Sequence, residues 1–263
     1  MKTLCSTLAV LACIVLCMPL TAQESNLSKF YIQNRGQVQD EKGAALGNTY
    51  FYKVGGGMQL FVTDKGYSLV HSSENKSGTE YSTIHINLEG AHIRAENIVY
   101  TQNAQAQFNF YNANKTLEDV KAAQTVLIKS IYPGIDWLWS IDANGSAKHQ
   151  FMVNIGADAR QVKYSVQGAA PSAKGNVLTY TNKQFSVEEG PVVYQHTSGD
   201  LNAGMKLSGQ QISFDIPSQL QGGGFTIDPS LSVVWGDSTF IGTQFTGIDV
   251  NATFETVTVG QSR

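Results

Sequence analysis

Short runs of β-branched and aromatic residues recur roughly every ten positions along this chain, each closed off by Gly, Asn, Asp or Pro. They include GMQLFVT, GYSLVHS, STIHINLEG, AQFNFYN, TVLIKSIY, KHQFMVNI, QVKYSVQG, NVLTYTN, KQFSVEE, PVVYQHT, QISFDI and LSVVWG. Runs so short and so evenly spaced predict an all-β fold with an antiparallel β-sandwich-type architecture and almost no helix. One segment carries helical spacing: in TLEDVKAAQ, Thr116 can cap a turn with Asp119 three residues on, and Leu117 and Val120 then share a face. GAAPSAKGN (168–176) and LQGGGF (220–225) read as connecting loops.

Two hairpins can be set in register. In MQLFVTDKGYSLV, a three-residue loop Asp64-Lys65-Gly66 places Thr63 opposite Tyr67 and Phe61 opposite Leu69. In IDWLWSIDANGSAKHQFMVNI, the odd positions Ile135, Trp137, Trp139 and Ile141 are apolar, as are Phe151, Val153 and Ile155. A two-residue Asn144-Gly145 turn would set Trp139 against Gln150 and mix the faces. The three-residue loop Ala143-Asn144-Gly145 pairs Trp137 with Phe151 and Ile135 with Val153, and is the expected register. Burying each of these side chains contributes roughly 1.5 to 3 kcal/mol, so Trp137 and Trp139 are read as core rather than as a ligand platform. Asp136 points away from them and is expected to close the Pro133-Gly134 turn through backbone amides.

The first residues carry Lys2, an apolar run from Leu8 to Leu20, and the small residues Thr21 and Ala22. That is the layout of a secretory signal peptide over residues 1–22, with cleavage before Gln23 and no membrane insertion afterwards. Lipoprotein processing at Cys13 fits worse, because the apolar run continues past it through IVLCMPL. Cys5, Cys13 and Cys17 all lie in this leader, so the mature chain has no thiol for catalysis, metal binding or a disulfide. It keeps 17 basic and 21 acidic residues, a net charge of −4 without a basic block, which excludes nucleic-acid binding through phosphate neutralisation. Charged residues make up 15% of the chain, and Asn, Gln, Ser, Thr and Gly take their place, which suits the wet faces of sheets in an exported module.

No constellation for chemistry emerges. Asp136 and Asp142 share a strand face but stand six residues apart, near 20 Å at about 3.3 Å per residue, too far for paired carboxylates. Glu188 and Glu189 are adjacent in a strand, face opposite sides, and read as an exposed edge and its turn. His85 alternates with Ile84 and Ile86 and so sits on a wet face, while His149 falls beside Trp139 as a hydrogen-bonded core or rim histidine. His71, His92 and His196 lack ligand spacing. The glycine runs VGGGM and QGGGF lack the flanking residues of a phosphate loop. Calcium is the one ion with any foothold, in DANGS and GADAR, and neither completes a calcium loop. The expectation is no catalytic, cofactor-binding or metal site, and no cofactor.

The ordered set FYIQNRGQV, IYPGIDW, HQFMVNIGADARQVKYSVQGA, GPVVYQ and FTIDPSL resembles the β-rich N-terminal domain of unknown function found in large bacterial surface and secreted proteins, over residues 28 to 231. The resemblance implies a position ahead of SBBP-type β-propeller or PKD repeats, and implies no reaction. The family's usual Pro-Gly-Ala-Asp-Pro is IGADA here, without its prolines. The expected organisation is a signal peptide (1–22), a β-sandwich-type module (23–231) that would divide near Pro133 if it forms two lobes, and an incomplete downstream repeat (232–263), with 236–263 loosely held as in a truncated product or a fragment. The family's C-terminal sorting module is not found, so the expected location is secreted, periplasmic or at the cell surface. The expected role is a non-catalytic extracellular structural or adhesion-type module meeting an unknown protein or glycan partner. A carbohydrate-binding module is the alternative, predicting exposed aromatics such as Tyr50, Tyr52, Tyr194 or Trp235 on one sheet face, and a polysaccharide hydrolase comes third.

Overall fold

The computed structural model describes residues 26–39, 46–55, 58–75, 78–101, 105–112, 115–143, 145–229, 231–234, 248–250 and 256–259. The leader, Trp235 and most of the segment after it lie outside these. Strands account for nearly all regular structure, and the helical pieces are 3₁₀ turns of three or four residues. The strands form sheets of twelve, seven and four members. Among the described residues, all pairings are antiparallel except that of Thr256–Val259 with Gln105–Asn112. The all-β expectation is met.

Tyr31 and Phe51 of the large sheet meet Trp139 of the seven-stranded sheet edge-on, at ring-centroid distances of 5.9 and 6.4 Å. Tyr67, also on the large sheet, contacts both Trp137 and Trp139, and Phe151 contacts Tyr164. Aromatic pairs of this geometry add about 0.5–1.5 kcal/mol beyond their buried area. Tyr31 Oη also donates to the Ser140 carbonyl at 2.7 Å, so a polar bond fastens the same interface. One core cluster runs from Tyr31 to Leu231. That cluster draws on residues from both sides of Pro133, and Pro133-Gly134 is the tight link between Thr125–Tyr132 and Ile135–Ile141, which pair with each other.

The tryptophan hairpin has the predicted register, with Ile135 opposite Val153 and Trp137 opposite Phe151. Asp142 and Ser146 close its three-residue loop, and Gly145 sits at φ +81° as the turn requires. Trp137, Trp139, His149 and Phe151 are fully buried. The first hairpin is offset by one from prediction: Val62 faces Tyr67 and Leu60 faces Leu69. Thr63 is consumed by the turn, where its Oγ1 accepts from Lys65 N. Gly66 follows at φ +149° with the Ile86 carbonyl only 2.2 Å from where a Cβ would stand. The shift puts Leu60, Val62, Tyr67 and Leu69 in the core and sends Phe61 to the other face, onto Tyr52.

That other face carries a second core of Ile32, Tyr52, Val54, Phe108, Phe110, Leu117, Val120 and Ala122. FYIQNRGQV packs against it: Phe30 meets Phe108 edge-on, and Val38 joins the cluster. Asn34 clamps the loop that follows, its Oδ1 accepting from Gly36 N and Val38 N and its Nδ2 donating to the carbonyls of Leu46 and Thr49. Arg35 Nη1 donates to the Glu118 carbonyl at 2.6 Å.

TLEDVKAAQ is strand rather than helix, all but its last residue, Gln124, falling within Lys115–Ala123. Asp119 sits at φ +55° in a β-bulge, and its N–H donates to Asn109 Oδ1. The extra residue brings Leu117 and Val120 to one face at a spacing of three, which imitates a helix. Thr125–Tyr132 repeats the device: Ser130 lies at φ +52° and its N–H donates to Asp136 Oδ1 at 2.7 Å. Asp136 thus satisfies a bulge amide rather than the Pro133-Gly134 turn. GAAPSAKGN likewise is not all loop, since Ala170–Lys174 pairs with Val177–Thr181. Strand Leu231–Val234 pairs with Ser186–Glu189, so residues 232–234 belong to the module's four-stranded sheet rather than beyond it.

Trp139 Nε1 is buried without a hydrogen-bond partner, which subtracts about 1–3 kcal/mol from what its ring contributes. Even so, Trp139→Ala is expected to cost about 3–5 kcal/mol in urea denaturation. Tyr81→Ala, at a side chain 52% exposed, should stay within about 0.5 kcal/mol of the parent chain.

Candidate functional site

The chemically richest constellation is one that the residue pattern had placed on an exposed edge. Ser186–Glu189 alternates Val187 and Glu189 inward, continuing from Phe185, and Glu189 is fully buried. Tyr67 Oη donates to Glu189 Oε2 at 3.2 Å, and Tyr164 Oη donates to Oε1 at 3.1 Å. Tyr180 Oη also donates to Oε2. On the remaining side His149 Nε2 stands 3.2 Å from Oε1, at ion-pair distance though off the hydrogen-bond line. Trp137 Nε1–H donates to His149 Nδ1 at 3.1 Å, which assigns the ring's own N–H to Nε2, facing the carboxylate. Tyr67 and Tyr164 come from the large sheet, Trp137 and His149 from the seven-stranded sheet, and Tyr180 and Glu189 from the four-stranded sheet. One carboxylate joins all three.

Burial is the largest influence on Glu189 and pushes its carboxyl up. The His149 contact and the hydrogen bonds from Tyr180 and Tyr164 together outweigh it and hold the group below its ordinary value of 4.5. Tyr67, Tyr164 and Tyr180 are pushed well above 10.0, first by burial and then by the Glu189 charge. Phenols that keep their protons around a carboxylate that loses its own form a matched set of donors and acceptor. Glu189, Tyr67, Tyr164, Tyr180, His149 and Trp137 are each at most 1% exposed, so the set has no opening to a substrate.

The other singled-out residues are scattered. Asp142 Oδ1 accepts from Ser146 N inside its own hairpin loop. Asp158 takes Arg160 in a two-point ion pair, Oδ1 to Nε at 2.7 Å and Oδ2 to Nη2 at 3.0 Å. Both calcium-loop candidates are therefore engaged in shaping their own turns. His85 bonds Ser68 Oγ on an exposed face, and His196 bonds Ser198 Oγ within a turn. His71 lies against the Phe185 ring, and the exposed His92 takes part in an open hollow with Arg94 and Tyr132. Tyr52 and Tyr194 are buried and Tyr50 is partly buried, so they do not form the exposed row expected of a glycan platform. Among the described residues, Tyr81 is the aromatic among the exposed large hydrophobic side chains. Also among them, no helix is long and apolar enough to cross a membrane.

A second polar knot lies on the outer face of the seven-stranded sheet. Asp228 of FTIDPSL, 4% exposed, accepts from Lys148 Nζ at 2.8 Å and Gln195 Nε2 at 2.6 Å, both on Oδ2. It ties Phe225–Asp228 to its two neighbouring strands, Ala147–Val153 and Val193–Gln195.

Two measurements test the Glu189 centre. Glu189→Gln keeps the shape but turns one acceptor into a donor facing phenol donors, and should cost about 3 kcal/mol or more in urea denaturation. Tyr180→Phe should cost about 1–3 kcal/mol, and Glu188→Gln, on the outward side of the same strand, less than about 0.5 kcal/mol. The second measurement is stability against pH. Because the folded carboxyl is depressed, the Glu189 contribution is complete above 4.5 and is lost as pH falls through the lower folded value. Because the folded phenols are raised, their contribution is complete below 10.0 and is lost as pH rises from there toward the folded values. Glu189→Gln should remove the acid limb contributed by this residue.

Residues 31–230 match the family described as Domain of unknown function (DUF7948). No curated protein matches the chain, and no solved structure does. The motifs that suggested a relationship now have structural roles: FYIQNRGQV covers the second core, the IYPGIDW and HQFMVNI strands supply Trp137 and His149, and the strand leading into GPVVYQ ends on Glu189. By a match spanning most of its length, the chain belongs to this family of uncharacterised domains.

Proposed function

We propose that this chain is a non-catalytic structural or adhesion-type β module of an exported bacterial protein, standing ahead of repeat domains of the SBBP or PKD kind. The observation that carries the reading is the sealed Glu189 centre. A glutamate, a histidine and three tyrosines are the ingredients of acid–base chemistry, and here they are spent on joining three sheets out of reach of solvent. The apolar stretch with Lys2 at its head supports export, and the sparse charge of the chain suits a module whose wet faces are amide- and hydroxyl-rich. The carbohydrate-binding alternative loses support from the burial of Tyr52 and Tyr194.

Calorimetric titration of the purified chain with a panel of cell-wall and host polysaccharides tests this directly. The module reading expects no saturable heat. A dissociation constant below about 1 mM for any glycan, abolished by changing an exposed residue, would replace it with the carbohydrate-binding reading.

A further inference from the structure

We draw no further inference here: the strongest candidate, the open hollow lined by His92, Arg94, Asn97, Ser130 and Tyr132 beside the Pro133-Gly134 link, carries nothing, because His92, Arg94 and Ser130 are exposed, Arg94 already faces Glu96, Tyr132 Oη already bonds the Glu89 carbonyl, and nothing in the structure shows what would occupy it.

Discussion

A carboxylate with no access to water has to be paid for by its neighbours, and the arrangement of this molecule follows from how Glu189 is satisfied. Its two oxygens collect three phenol hydrogens and face a histidine ring that a tryptophan holds from behind. Those donors come from all three sheets, so none of the sheets can shift relative to another without stranding a buried charge. Apolar packing alone tolerates small sliding, because one methyl group is much like the next. A charged hydrogen-bonded centre does not, and it costs several kcal/mol when broken.

The general architecture was legible because it rests on alternation. Period-two patterning named the strands, and the aromatic run around Trp137 and Trp139 could be aligned because only one loop length brings apolar positions of both arms to one face. The first hairpin was misaligned by one residue for a related reason. Both registers of MQLFVTDKGYSLV gather apolar residues, and Phe61 served as well as Val62 until the second core behind the sheet gave Phe61 somewhere to go. A sequence pattern records which positions are apolar, not how many cores they serve.

Glu189 escaped notice because two adjacent glutamates at a strand end usually mean a solvated edge. Its signal was in the phenols. Tyr67 alternates with Leu69, Tyr164 with Val166, and Tyr180 with Leu178, so three tyrosines lie on core faces with hydroxyls that need an acceptor. The alternation Phe185, Val187, Glu189 then points an acid inward to meet them. The helix reading of TLEDVKAAQ fails by an equally physical route. A bulge adds a residue to a strand, and the spacing across it becomes three, the same interval that marks a helical face. Asn109, whose Oδ1 accepts from the amide of the left-handed Asp119 opposite, is the feature that distinguishes the two.

Strand Leu231–Val234 lies antiparallel to Ser186–Glu189, with Leu231 opposite Glu189 itself. Tension applied to the chain past Val234 would be shared along a row of backbone hydrogen bonds loaded in shear, and would arrive at the strand that carries the central carboxylate.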